Sequence, residues 1–272
     1  PFYLASCPTC RYTTYHADFK DLGEQTEIVR RVLSEMENLT PNVSSDKLPG
    51  SEKYTIAMKI YSALGKDSRT IGDLLLRAAW CRRLEGPKIL TFSSSLGRSY
   101  TTAMKNLESL LEKQNVELVW NDIQSYLKAF EALDSLSLGM APRETGHARD
   151  FLKVYFLQRL GENVKAMQVL NAIEKDADPK TWPAQLAEAV WKGISEEMVF
   201  HRQAVLEFRK ALARKIIPPD ELAITYYLIG ENLHRAGRDK EAVQWFRRAL
   251  DKDDIPDWLT PIAQQQLSLV IR

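Results

Sequence analysis

The segment 223–256 constrains the fold of this chain more than any other part, because it carries the pattern of two closely packed helices. The first helix contains a small residue, Gly230, and the second contains Ala242 followed four positions later by Phe246. Small residues allow two antiparallel helices to approach closely, and the aromatic ring then fills the space beside them. Gly237 lies between the helices, where a left-handed backbone favours glycine. We therefore expect a helical hairpin that buries its apolar face against neighbouring hairpins.

The same spacing recurs through the second half of the chain and indicates a tandem array. Ala166, Ala204 and Ala242 follow one another at intervals of 38 residues. A large apolar residue follows each of them four positions later: Leu170, Phe208 and Phe246. The pattern is that of the tetratricopeptide repeat, whose unit is about 34 residues. It predicts three helical hairpins and a terminal capping helix, with the middle hairpin built from helices over 181–198 and 200–214.

The rest of the chain is also helical in pattern, after a short start rich in aromatic residues and threonine. Residues 1–18 predict a small extended or hairpin element around two cysteines. Residues 19–140 predict a helical region with one repeat-like hairpin, interrupted by an inserted loop over 87–97, and 141–272 hold the repeats and the cap. The predicted fold class is all-α: a tetratricopeptide-like helical-hairpin solenoid with a small cysteine-bearing N-terminal element.

Composition and charge argue against several classes of function. The 272 residues include 37 basic and 36 acidic side chains, so the net charge of +1 gives no general argument for nucleic-acid binding. No apolar run reaches the roughly 20 residues that a membrane-spanning helix needs. Three cysteines do not make a secreted disulfide framework, and we expect a cytoplasmic protein. Phosphate-loop, nucleophile-elbow and HExxH motifs are absent, and we expect no enzymatic activity.

Cys7 and Cys10 form a CxxC pair, a spacing that lets two thiolates bind one tetrahedral metal ion. Two cysteines supply half of a zinc site. The other ligands could come from an upstream pair, since the chain opens at Pro1 without an initiator methionine, or from His16 and another group. A reduced thiol pair and a redox pair are the alternatives, although no βαβ pattern supports a thioredoxin-like role. We expect zinc in the intact protein.

One row of side chains on the first helix of the C-terminal hairpin is a candidate for partner binding. Its members are Tyr227, Glu231, His234 and Arg235. Residues three and four apart share a helix face, and in such repeats this face turns toward the concave groove. Tyrosine and arginine often carry interface energy, so we predict contact with another protein; a solvated helix face is the alternative.

Two pairs of adjacent, like-charged residues elsewhere in the chain are not expected to have a functional role. Arg247 and Arg248 have acidic neighbours in sequence and read as a solvated helix face. Glu196 and Glu197 read as a charged helix end, not as the paired carboxylates of a catalytic site.

Three segments together resemble the bacterial domain of unknown function 2225 family. One covers 1–19 with its Cys-Pro-Thr-Cys motif at 7–10, another is the Ala79-Trp80 helix, and the third runs from 225 to the terminal helix. The resemblance implies a zinc-ribbon-like N-terminal element followed by tetratricopeptide-like helices, and it supplies no activity. Members of that family usually carry a further CPxC pair upstream, and Arg11 stands where the family usually has glycine.

We therefore expect a non-enzymatic scaffold or adaptor that binds another protein, or a larger protein assembly, through the solenoid groove, the N-terminal element or both. The alternative is a zinc-dependent nucleic-acid-binding or regulatory protein in which the ribbon binds and the helices dimerise. A continuous basic surface around residues 7–11 would favour the alternative, and a neutral or apolar surface would favour a protein contact.

Overall fold

A computed structural model of the chain describes residues 4–19, 22–36, 47–85, 97–119 and 121–272. The described part contains eleven α-helices and one two-stranded sheet, which confirms the all-α prediction. The strands are β1 (Leu4–Ser6) and β2 (Thr13–Tyr15). The helices are α1 (Thr26–Met36), α2 (Gly50–Ala63), α3 (Ser68–Glu85), α4 (Gly97–Lys113), α5 (Ile123–Ser135), α6 (Arg143–Leu160), α7 (Asn163–Asp176), α8 (Trp182–Ala213), α9 (Leu222–Arg235), α10 (Asp239–Leu250) and α11 (Leu259–Ile271).

Two features predicted from the sequence fall partly outside these ranges. Residues 1–3 of the N-terminal element and 87–96 of the inserted loop lie outside the described residues. Within the described part the chain forms two compact units. The first takes its residues from Pro1–Glu85, Glu196–Leu233 and Asp239–Arg272, and the second from Gly86–Ser195 and His234–Arg238. The predicted domain boundaries at residues 18 and 140 stay predictions.

The N-terminal element is a β-hairpin, as the sequence predicts. Strands β1 and β2 run antiparallel, with Leu4 opposite Tyr15 and Ser6 opposite Thr13. Both strands pack on α2, so the sheet has a helix beneath it. A single two-stranded hairpin is marginally stable by itself, and the contact with α2 supplies the apolar surface that it needs.

The first unit is built around an apolar core shared by α2, α3, α8, α9 and α10. Its fully buried members include Ala57, Leu74, Phe208, Ile229 and Phe246. The repeat residues Ala204 and Ala242 belong to the same core. A smaller apolar cluster lies beneath the N-terminal hairpin and joins Tyr12 to Val29 of α1 and Ile60 of α2.

The second unit contains α4 to α7 and the beginning of α8. Its aromatic centre is Trp182, whose ring meets Tyr100 edge-on at 5.0 Å and lies 5.7 Å from Phe151, centroid to centroid. Gly161 ends α6 with a left-handed φ of +86°, which turns the chain directly into α7. Helix α6 thus ends with a glycine in a backbone conformation that other residues rarely adopt.

Helix α8 corrects one prediction. The sequence analysis placed two helices over 181–198 and 200–214, but Trp182–Ala213 is one continuous helix of 32 residues. The physical reason is that α8 contains no proline after Pro183, which lies in its first turn, and that Val199 lowers helix propensity without breaking a helix. Ala204 and Phe208 are buried as expected, yet they belong to this long helix and not to a separate hairpin.

Candidate functional site

The two cysteines lie in the turn that joins β1 to β2. Arg11 donates its backbone N–H to the Cys7 carbonyl oxygen at 3.1 Å, and Cys7 donates its own to the Tyr12 carbonyl oxygen at 2.8 Å. Arg11 closes the turn with a left-handed φ of +62°. It therefore adopts the conformation that glycine favours, at the position where the resembling family has glycine.

Backbone groups of the turn point at one of the two sulfurs. The N–H groups of Cys10 and Thr9 hydrogen-bond to the Cys7 thiol and lower its pKa, because they stabilise the thiolate. Burial raises the pKa of the Cys10 thiol. Both thiols are free, Cys7 partly exposed and Cys10 exposed. The hydrogen bonds of the turn therefore favour the thiolate form of Cys7 over that of Cys10.

The donor set of this turn fits a zinc ion. Zinc prefers thiolate ligands in tetrahedral geometry, and N–H donors to a ligating sulfur orient it and tune its charge. Cys7 and Cys10 would hold the metal, which would supply structural cross-linking of the hairpin. Across the described residues, no group of three or more His, Cys, Asp and Glu side chains converges, so His16 does not join the two cysteines in such a group.

A polar cluster fixes the hairpin to α2. The buried Tyr61 hydroxyl donates to the Asp18 carboxylate and lies 2.5 Å from the Thr14 hydroxyl oxygen. It also accepts the Tyr15 backbone N–H at 3.3 Å. Burial and the hydrogen bond to Asp18 raise the pKa of Tyr61 to about 12. One tyrosine of the first unit thus connects both β2 and the residues after it to the helical core.

The four side chains proposed for partner binding differ in their solvent exposure. Tyr227 and Glu231 are partly buried, and the Tyr227 ring lies 5.7 Å from the Phe246 ring. His234 and Arg235 are only 2% and 7% exposed. The prediction that the row contacts a partner stays a prediction, but only its first two members reach the surface.

His234 and Arg235 have structural contacts in the second unit. His234 Nε2 lies 3.1 Å from the Leu160 carbonyl oxygen, and Arg235 donates to the Gln158 carbonyl oxygen at 3.1 Å. Asn163 returns a hydrogen bond to the Arg235 carbonyl oxygen at 3.1 Å. These contacts satisfy the last carbonyl groups of α6, which have no partner within their own helix. The two side chains therefore serve as helix-end caps.

A buried charged network lies where the sequence analysis expected a helix end. Glu197 is inside α8 and 0% exposed, and its Oε1 accepts from Arg83 Nε at 2.8 Å. The same oxygen lies 3.2 Å from His201 Nε2, and His201 Nδ1 lies 2.6 Å from Asn232 Oδ1. The interpretation of Glu196 and Glu197 as a helix end is wrong, because α8 continues past them. The network joins α3, α8 and α9 within the first unit.

An aromatic and arginine cluster on the first unit was missed by sequence reasoning. The Trp245 ring on α10 has the Arg248 guanidinium 4.6 Å from its centroid and the Arg209 guanidinium 5.5 Å away. Tyr226 of α9 packs against the same ring at 5.6 Å. The spacing of Trp245 and Arg248, three apart on one helix, was the available signal. Arg209 comes from another helix, which no local pattern reveals.

Comparison with known proteins places most of the chain in one family. The profile of a bacterial family described as an uncharacterized protein conserved in bacteria (DUF2225) matches residues 1–192. The matched range includes the cysteine turn and the Ala79-Trp80 helix, whereas the resembling segment from 225 onward lies beyond it. No curated protein and no solved structure matches the chain. No helix within the described ranges combines the length and apolar character needed to cross a membrane. The chain belongs to the bacterial domain of unknown function 2225 family.

Proposed function

We propose that this protein is a non-enzymatic scaffold that binds another protein through the helices of its first unit and through its N-terminal element. The observation that carries the proposal is the packing of the α9–α10 hairpin. A Cβ added to Gly230 would lie 2.8 Å from the Phe246 ring, so α9 and α10 pack closely at this glycine, which supports a repeat-type hairpin. Repeat hairpins of this kind present their outer surfaces to other proteins.

The composition of the N-terminal turn supports a protein partner over a nucleic acid. Between residues 7 and 12 the only basic side chain is Arg11, and one guanidinium does not make the basic patch that phosphate binding needs. Pro8, Thr9 and Cys10 are exposed. The turn therefore offers small, mostly uncharged groups to a partner.

Zinc belongs to the same proposal. Cys7 and Cys10 would bind one zinc ion together with two further ligands, and the metal would hold the turn in a single conformation for binding. This role is structural. The metal would fix the shape of the N-terminal element and would not take part in a reaction.

Site-specific photocrosslinking in the native bacterium tests the proposal. A benzophenone amino acid would replace Tyr227 on α9 and, separately, Phe19 beside the N-terminal hairpin. Phe19 is exposed and Tyr227 partly so, and both replacements exchange one aromatic side chain for another. The control position is Met140, which is fully exposed in the second unit.

We expect the same protein adduct from Tyr227, Phe19 or both, and none from Met140. Adducts identified by mass spectrometry as nucleic acid at Phe19 would favour the zinc-dependent nucleic-acid-binding alternative. Equal adduct patterns at all three positions, or none at any, would contradict the scaffold proposal.

A further inference from the structure

In the cluster around Trp245, two guanidinium groups lie over one aromatic ring. We call Trp245, Tyr226, Arg209 and Arg248 the Trp245 platform. Helices α8, α9 and α10 each contribute to it. Trp245 and Tyr226 are partly buried, and Arg248 is exposed. Aromatic and cationic groups therefore reach the solvent together here.

The geometry of the platform restricts the motion of its arginines before any ligand binds. A guanidinium that stacks on an aromatic face is held by the ring quadrupole, and its N–H groups remain directed outward in its own plane. Arg209 is fixed further by an ion pair with Glu241 at 3.0 Å. Its Nε is buried and has no hydrogen-bond partner among the described residues. The entropy cost of ordering these side chains on binding is correspondingly reduced.

Of the two guanidinium groups of the platform, only that of Arg209 forms an ion pair among the described residues. Glu241 pairs with Arg209. Arg247 and Arg248 are both exposed, and within the described part of the chain neither forms an ion pair with an acidic side chain. The platform thus carries a local surplus of positive charge, although the whole chain is nearly neutral at +1. A partner of opposite charge would be complementary to it.

We propose that the Trp245 platform binds an acidic peptide segment of the partner protein. The segment's carboxylates would accept paired N–H bonds from Arg248, the geometry in which arginine recognises carboxylate best. Its aliphatic atoms would cover the Trp245 and Tyr226 rings. This inference rests on the proposed scaffold function and adds the chemistry of the partner and the place where it binds.

An acidic peptide fits the platform better than a nucleic acid does. Nucleic acids require several basic side chains that follow the spacing of successive phosphates. Two aromatic rings and two arginines instead match the composition of surfaces that carry protein-binding energy.

Nuclear magnetic resonance of the purified chain tests the proposal with a defined probe. The probe is an acetylated and amidated hexaglutamate peptide, added at constant ionic strength while indole N–H signals are recorded. The chain has six tryptophans, and the Trp245→Phe variant identifies the signal of Trp245. Hexalysine, inorganic phosphate and a short single-stranded DNA are titrated in parallel. Arg248→Gln is the test variant, and Arg31→Gln on α1, also exposed, is the matched control.

We expect a saturable shift of the Trp245 signal with hexaglutamate and none with hexalysine. Loss of paired, charge-assisted hydrogen bonds should weaken the affinity at least about tenfold in Arg248→Gln, with Arg248→Lys intermediate and Arg31→Gln unchanged. No saturable shift, or an unchanged affinity in Arg248→Gln, overturns the proposal. Equal or stronger binding of phosphate or DNA also overturns it. A protein adduct at Tyr227 in cells, with no hexaglutamate binding, would retain the scaffold and remove only the acidic segment.

Discussion

Gly230 and Gly193 both lie inside helices, yet they have opposite surroundings. A Cβ on Gly230 would lie 2.8 Å from ring atoms of Phe246, whereas a Cβ on Gly193 would meet no atom within 4 Å. Neither glycine has a positive φ, so their difference is one of space alone. The sequence pattern identifies Gly230 as a contact residue because of its place in the repeat. It gives no reason for Gly193.

These two glycines provide a matched pair of substitutions. We expect Gly230→Ala to lower the free energy of unfolding by about 1–3 kcal/mol, because the methyl group overpacks the contact with Phe246. Gly193→Ala should raise it by about 0.4–1 kcal/mol, since alanine restricts the unfolded chain and fits the helix. Urea denaturation measures both. Equal effects of the two substitutions would contradict the close α9–α10 packing.

Tyr61 allows a second prediction at the scale of one residue. Tyr61→Phe should lower the free energy of unfolding by about 1–3 kcal/mol, because Asp18 and Thr14 lose their partner in a buried site. The folded pKa of Tyr61 is raised from 10.0 to about 12. The raised pKa means that the fold favours the protonated hydroxyl, so its stabilisation is complete below pH 10 and is lost as the pH rises from 10 to 12.

The measurement is the pH dependence of unfolding in the wild type and in Tyr61→Phe. The difference in stability between them should be constant at neutral pH and should shrink between pH 10 and 12. Tyr15 and Tyr54, which are partly buried, also have raised pKa values, which is why the variant is needed as the reference. A difference that stays constant to pH 12 would contradict the role given to Tyr61.

At the scale of elements, the sequence of α8 contains a signal for one continuous helix, although two helices were predicted there. Its buried side chains recur at spacings of three and four through the supposed break: Ile194, Met198, His201, Val205 and Phe208. This stripe has no interruption at Val199, so a continuous helix was predictable from the sequence. The 38-residue spacing favoured a turn near Val199, because the pattern of the hairpin at 223–256 was applied to the segment 181–214, which matches it less well.

The buried network across α3, α8 and α9 has a matched control next to it in the chain. We expect Glu197→Ala to cost about 3–5 kcal/mol, because it leaves Arg83 without its buried carboxylate. Glu196 pairs with Arg82 but is much more exposed, and Glu196→Ala should cost less than about 1 kcal/mol. Denaturation of the two variants compares the pairs directly. Similar losses in both would show that burial of Glu197 does not matter.

The N-terminal element gives a prediction about metal content. The protein, purified without chelator, should contain one zinc ion per chain by elemental analysis, because its turn lowers the pKa of the Cys7 thiol and places a second thiol, Cys10, three residues later. Cys7→Ser should remove the metal, and Cys81→Ser should retain it, since Cys81 lies on α3 away from the turn. Less than about a tenth of an equivalent in the wild type would contradict the zinc assignment.

For the whole molecule, the helical class, most helix positions and the N-terminal hairpin were accessible from the sequence, because periodicity and turn residues are local signals. The burial of His234 and Arg235 was not, since it depends on carbonyl groups of α6 that lie more than seventy residues earlier in the chain. The Trp245 platform likewise requires Arg209 from another helix. Contacts distant in sequence therefore decided which members of a predicted face reach the surface.

The affinity of the partner captured by crosslinking tests the central claim most directly. Isothermal titration would compare the wild type, Tyr227→Ala and the exposed control Met140→Ala, with circular dichroism to establish that each variant is folded. We predict that Tyr227→Ala weakens binding by more than about 1 kcal/mol, roughly a fivefold change, and that Met140→Ala binds as the wild type does. Wild-type affinity in a folded Tyr227→Ala variant would contradict the claim that α9 carries the partner site.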